Sequence, residues 1–207
     1  MVPRMARDGT ATRIRLLDAA QGLVLERGFA GTSLDDVLSE AGSTKGAFFH
    51  HFSSKAELGR ALVERWAEWD ADHLERTMER TEMLASDPLQ RLMVFTGLLV
   101  EQAETMTQSD VGCLFASFLY ERQMVDESTR ALIADSMRLW RERLGAVISQ
   151  AAALHPPRAP IDPGALCDEL LTVYEGAFVL SRALDDPGIV ARQLNQYREH
   201  LRLLFDA

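Results

Sequence analysis

Along most of the chain, apolar residues recur at steps of three and four. Ile14, Leu17 and Leu25, with Ala20 between, line the first helix in this way, Leu17 and Leu25 lying about two turns apart, and Leu166, Leu170, Val173, Ala177, Leu180 and Leu184 form a longer stripe. That spacing marks one face of an α-helix, whereas the alternation that marks half-buried strands is almost absent. Helix starts are written in as well. Asp87-Pro88, Asp162-Pro163 and Asp186-Pro187 each pair a capping carboxylate with a proline suited to the first helical position. Ser54 and Glu57 have the spacing of a capping box, and Gly28, Gly31 and Gly42 stand where helices end. The pattern predicts helices near 12–27, 33–40, 44–50, 54–80, 88–107, 110–123, 127–154, 163–184 and 187–204. The proline-rich stretch HPPRAPIDP (155–163) is the clearest break. The fold class is all-α, and the last two helices should close as an antiparallel hairpin.

One short stretch departs from this regularity. GSTKGAFFHHFSSK (42–55) holds three Phe, two His and the chain's only lysines, Lys45 and Lys55. It is either a core helix with polar decoration or a surface made to meet a polyanion. Ser33 can cap a short helix ending before Ala41-Gly42, and Thr44 can cap a second one. Two short helices about a glycine turn, with helix 12–27 behind, make a helix-turn-helix. Phe48 and Phe52, four apart, share an inward face, while Phe49 and His50 lie on the other side. The second helix would enter a major groove with Lys45, Gly46 and Ala47 at the base edges, Gly46 allowing close approach. Lys55 would meet a phosphate.

Charge supports a local contact of this kind. The net charge is −9, but residues 1–65 carry nine Lys/Arg against eight Asp/Glu, and the remainder carries 13 against 23. A near-neutral head on an acidic body confines polyanion binding to the head. Two Cys without CxxC spacing suit a reducing compartment, and no run reaches the ~20 apolar residues a bilayer demands. A cytoplasmic protein with no membrane association is expected.

The ordered set Gly28-Phe29, Thr32-Ser33, Ala41-Gly42 and Phe52-x-x-Lys55-x-x-Leu58, behind an Arg-led first helix, resembles the DNA-binding domain of tetracycline-repressor-type (TetR) regulators over residues 12–62. The resemblance implies a three-helix DNA-binding domain (1–53, with a short basic arm 1–11) and a helical effector-binding and dimerisation domain (54–207). It implies phosphate contacts at Ser33, His51 and Lys55, and a recognition face of Thr44, Lys45, Ala47, Phe49 and His50. Phe49 stands where the family usually has Tyr, and Leu38 where a small Ala is usual. The implied partners are double-stranded DNA with a palindromic operator, a small-molecule effector, and a second copy of the chain.

The longer body has its own candidates. Phe118, Trp140, Tyr174 and Phe178 either pack the core or, as the resemblance implies, line an effector cavity. Cys113, after Gly112 near a helix start, is either a reactive thiol or an inert one. The hairpin near 163–184 and 187–204 offers more apolar surface than one body covers, through Leu170, Ala177, Leu184, Leu194, Tyr197, Leu201 and Leu204, which points to a homodimer. His50-His51 makes a poor metal pair because adjacent helical residues diverge. No nucleophile–base pair or glycine-rich phosphate loop indicates an enzyme, and no metal or cofactor is expected. The expectation is a DNA-binding regulator, a repressor released by a small molecule. The alternatives are a DNA-binding protein whose body serves only dimerisation or another partner, and a helical enzyme or carrier with an incidental helix-turn-helix.

Overall fold

The computed structural model describes residues 4–108, 110–121 and 125–206, with side chains from residue 9 onward. Among these are nine helices: α1 (Arg4–Arg27), α2 (Leu34–Glu40), α3 (Lys45–His51), α4 (Lys55–Leu84), α5 (Pro88–Glu104), α6 (Leu114–Leu119), α7 (Glu127–Leu154), α8 (Pro163–Leu184) and α9 (Gly188–Phe205). Two compact units emerge. One comprises the chain up to Glu68 with Cys113–Ala134, and the other Trp69–Gly112 with the chain from Asp135 onward. The division differs from a boundary at 53/54, because Leu58, Ala61 and Leu62 of α4 are core residues and fall in the first unit.

Capping explains most of the boundaries. Asp87 Oδ1 accepts from the amides of Leu89 and Gln90, and Asp162 Oδ1 from those of Gly164 and Ala165. Asp186 Oδ1 accepts from Gly188 N ahead of α9. The capping box at α4 is rearranged. Glu57 N donates to Ser54 Oγ as expected, but the Glu57 carboxylate takes Ser53 N (2.7 Å) and Ser53 Oγ instead of Ser54 N. Those bonds hold the Glu57 carboxyl below its usual range.

Two elements differ most in extent from the sequence reading, while α4 runs four residues further, to Leu84, and α5 stops three earlier, at Glu104. Helix α1 starts at Arg4, so residues 4–11 are helical and not an arm; an Ala/Arg-containing run readily propagates a helix already nucleated behind it. Of the expected 110–123, helix α6 covers Leu114–Leu119; residues 122–123 of that expectation lie outside the described residues. Asp110 is spent on a turn, accepting from Thr107 N (2.8 Å) and Thr107 Oγ1 (2.6 Å), and Gly112 follows at φ 150.

In the first unit, α1 buries Leu16, Leu17, Ala20, Leu23 and Val24, while Ile14 is 49% exposed, so the inward stripe is rotated from the one first read. Arg65 of α4 ties back to α1 through Asp18 (2.7 Å) and Gln21 (2.5 Å). In the second unit, α5, α8 and α9 share a core with parts of α4 and α7. Tyr197 of α9 is buried there and donates its hydroxyl to Leu166 O of α8 at 2.9 Å, fixing the hairpin.

The hairpin's apolar surface needs a correction. Leu170, Ala177, Leu194, Tyr197 and Leu201 are 0–2% exposed, consumed by the protomer's own core, and Leu204 is half-buried. The α8 stripe continues inward from Ala177 to Ser181, whose Oγ donates to Asp186 O, so Leu180 and Leu184 swing outward. The exposed apolar residues of the hairpin are Val179, Leu180, Leu184 and Leu203.

Candidate nucleic-acid interface

The interface is built from α2 and α3. Ser33 Oγ accepts from Asp36 N, while Ser33 N and Ser33 Oγ both donate to Asp36 Oδ2, a closed capping box that starts α2. These bonds hold the Asp36 carboxyl below its usual range. Ala41 and Gly42, the latter at φ 55, turn the chain. Thr44 Oγ1 then accepts from Ala47 N and starts α3.

Helix α3 has two chemically distinct sides. Phe48 is fully buried and packs against Phe52, with ring centroids 5.5 Å apart. Lys45, Gly46, Phe49 and His50 are exposed, Phe49 to 57%, and Ala47 is half-buried. An exposed phenyl ring beside an imidazole and an ammonium is costly in water and useful against base edges and methyl groups. Lys45 Nζ meets the exposed Asp35 carboxylate at 3.1 Å, an ion pair that solvent screens. Gly46 has no internal reason to be glycine. A Cβ there would find nothing nearer than Thr44 Oγ1 at 3.9 Å.

The three expected phosphate ligands are all engaged within the unit. Ser33 is held by Asp36, as described. His51 is half-buried next to His50, with ring centroids 4.9 Å apart. Burial, then the charges of His50 and Arg13, push its pKa down. Lys55 Nζ donates to Phe29 O at 2.6 Å and stands 4.5 Å from the centre of the Phe29 ring. Burial lowers its pKa, against the opposing pull of Glu121.

The five candidate effector residues are divided between the two units. Phe118 is 1% exposed in the first unit, its ring 4.7 Å from that of Phe29. It borders a hollow of about 280 Å³ with Phe29, Ala56, Gly59, Arg60, Asp126 and neighbouring residues. Cys113, half-buried at the α6 start, belongs to the same unit and makes no side-chain cap bond to that helix. Trp140, Tyr174 and Phe178 lie in the second unit. Tyr174 and Phe178 form a ring pair at 5.2 Å, and burial pushes the Tyr174 phenol up to about 12.

Trp140 reveals a residue that the sequence reading missed. Its Nε1 donates to Asp70 Oδ2 at 2.9 Å, beside Phe95, whose ring centre is 6.2 Å from that of Trp140. Burial raises the Asp70 pKa to about 6, against the lowering effect of the Trp140 bond. The signal was present: Asp70 falls on the stripe Trp66, Asp70, His73, Thr77, Thr81, a carboxylate where an inward-facing residue is due. His73 on that stripe bonds Gln102 at 3.0 Å.

Comparison with known proteins gives this geometry its setting. Residues 16–62 match the family described as bacterial regulatory proteins, tetR family, and residues 88–197 match the tetracyclin repressor-like C-terminal domain. The chain is 27% identical over 180 residues to the transcriptional regulator AcuR of Cereibacter sphaeroides, covering 87% of this chain and 80% of that protein. It is 27% identical over 171 residues to the HTH-type transcriptional repressor DhaR of Mycobacterium sp. (strain GP1), covering 82% of each. The crystal structure of regulatory protein TetR from Rhodobacter sphaeroides superposes with a TM-score of 0.71 at 25% identity, over 90% of this chain and 97% of that one.

Proposed function

The chain belongs to the tetR family of bacterial regulatory proteins, and on that footing we propose that it is a homodimeric repressor, not an enzyme, acting in the cytoplasm. It binds a palindromic operator through α3 and releases it when a small molecule binds the second unit. One observation carries the DNA reading: the solvent side of α3 presents Lys45, Gly46, Phe49 and His50 together, with no packing that asks for a glycine at 46. Thr44 and Ala47 complete the base-reading face; Lys55 and His51 meet phosphates with the donors their internal bonds leave over, and Ser33 does so by turning its hydroxyl from Asp36 to the phosphate.

For the effector, support comes from the second unit, which holds Trp140, Tyr174 and Phe178 and also Asp70, a half-buried carboxylate with an indole partner. Phe118 and Cys113, the other candidates, belong to the first unit. An effector with an aromatic or aliphatic body and a hydrogen-bond donor fits this lining.

The test is selection of genomic fragments bound by the purified chain, followed by footprinting. A discrete symmetric footprint is expected, with an affinity that falls as salt rises, because phosphate contacts release counterions. A protein that protects no site from nuclease at any salt overturns the reading. A small molecule that erases the wild-type footprint should act more weakly on Phe178→Ala; an equal response removes Phe178 from the pocket.

A further inference from the structure

The turn from α1 into α2 is gripped in an unusual way. Phe29 and Ala30 share one peptide group. Its carbonyl, Phe29 O, accepts from Lys55 Nζ at 2.6 Å, and its amide, Ala30 N, donates to the Glu121 carboxylate. A cation from the start of α4 and an anion from just beyond α6 thus hold opposite ends of one peptide dipole, each in the favourable sense. The same turn is fixed sterically. Gly28 sits at φ +78, and a Cβ there would fall 2.5 Å from Glu121 Oε1. The Phe29 ring lies against Phe118 and over Gly59, where a Cβ would approach Phe29 Cζ to 2.6 Å. Both glycines leave room for the grip.

We infer that Glu121 is a positioning residue of the DNA-binding unit: with Lys55 it fixes the Phe29–Ala30 peptide and so sets where α2, and α3 behind it, stand against α4 and α6. The distance along the chain is short. Ser33, which caps α2, follows Ala30 by three residues, and α2 reaches α3 through a single tight turn. Freedom at the 29–30 peptide therefore rotates the helix pair as a body. Glu121 touches no DNA in this reading, and its negative charge by itself opposes DNA.

That opposition makes the inference testable, and it rests on the operator reading above. Glu121→Gln removes a negative charge, so electrostatics alone would tighten operator binding. The positioning role predicts the reverse: about a tenfold loss of operator affinity, the difference between a charge-assisted hydrogen bond and the neutral one that Gln can still accept. The slope of affinity against salt should stay unchanged, because no phosphate contact is lost. Amide hydrogen exchange at Ala30 supplies a readout that needs no DNA, and it should accelerate about tenfold in Glu121→Gln while the unfolding midpoint moves by only a few degrees. Should Glu121→Ala fail to fold, the Gln variant, which keeps the side chain's shape, still decides. Operator binding equal to or tighter than wild type, or unchanged Ala30 exchange, overturns the inference. Failure of the wild-type chain to bind any duplex overturns the operator reading instead, and the exchange measurement then stands alone as the test of the grip.

Discussion

At the scale of single residues, two positions break local rules, and each break points to chemistry. Gly46 lies in the first turn of α3, where glycine weakens a helix by up to about 1 kcal/mol relative to alanine. Among the described residues, nothing occupies the space a Cβ would take. Gly46→Ala should therefore leave the unfolding midpoint unchanged or raised, and weaken operator binding about tenfold, because the added methyl meets the groove. Full operator affinity in that variant would show that the backbone makes no close approach at this point. Asp70 breaks a different rule, being an acid on an inward stripe. Its folded pKa of about 6 lies above the ordinary 3.8, so between those values the folded chain holds a proton that the unfolded chain has released. Its contribution to stability thus falls as pH rises from about 4 to about 6 and stays low above that. Partial solvent access reduces the full shift to a cost of about 1–3 kcal/mol near neutral pH. Asp70→Asn keeps an oxygen for Trp140 Nε1–H and should be the more stable protein at pH 7.5, with the advantage vanishing near pH 4. Carboxyls held low by hydrogen bonds, such as Asp36, Asp87 and Asp186, lend stability that is lost as pH falls below about 4, but they do so equally in both proteins. Thermal denaturation of the two across that range is the check, and a constant difference between them would show that Asp70 titrates normally.

At the scale of elements, legibility tracks the range of the interaction that decides each feature. The Asp-Pro starts of α5 and α8 could be read directly, because cap and proline sit next to the amides they serve, whereas at α9 Pro187 takes the N-cap place and Asp186 holds Gly188 N from one residue before it. The two faces of α3 were readable for the same reason: residues 45–51 alone determine which side Phe48 takes. Phase was harder in α1, where Ile14, Leu16, Leu17, Leu23, Val24 and Leu25 are apolar on neighbouring faces, and only packing selects Leu16 and Val24 over Ile14. The shortness of α6 followed from Asp110 choosing a local turn over a helix start, a competition that composition does not decide. The grip on the Phe29–Ala30 peptide lay beyond sequence reasoning altogether, since Glu121 and Ala30 are 91 residues apart. Lys55 was singled out for its charge and its rarity. Its bond to Phe29 O was invisible until α1 and α4 were placed side by side.

At the scale of the whole molecule, the question is what one copy can do alone. A seven-residue recognition helix reaches only a few base pairs, so one head gives weak discrimination, and joining two heads turns the second contact into an intramolecular event. The chain's charge of −9 opposes association of two copies, but repulsion between solvated charges decays over roughly 8–10 Å at ordinary ionic strength. An apolar contact can overcome it. The hairpin supplies one in Val179, Leu180 and Leu184 of α8 and Leu203 of α9, which are 47–66% exposed and contribute little to their own protomer's core. Pairing of this face with its symmetry mate would join four helices, and an operator read by two α3 helices would have half-sites roughly 34–36 Å apart, one turn of duplex, or somewhat more. Two carboxylates placed in that contact would be desolvated against each other's copies, while in the monomer they would simply face water. The double variant Leu180→Glu, Leu184→Glu should accordingly keep the wild-type unfolding cooperativity, sediment as a monomer at micromolar concentration, and lose the symmetric footprint. Wild type should sediment as a dimer under the same conditions. A double variant that remains dimeric would move the interface away from the exposed face of α8, and a monomeric wild type would remove it altogether.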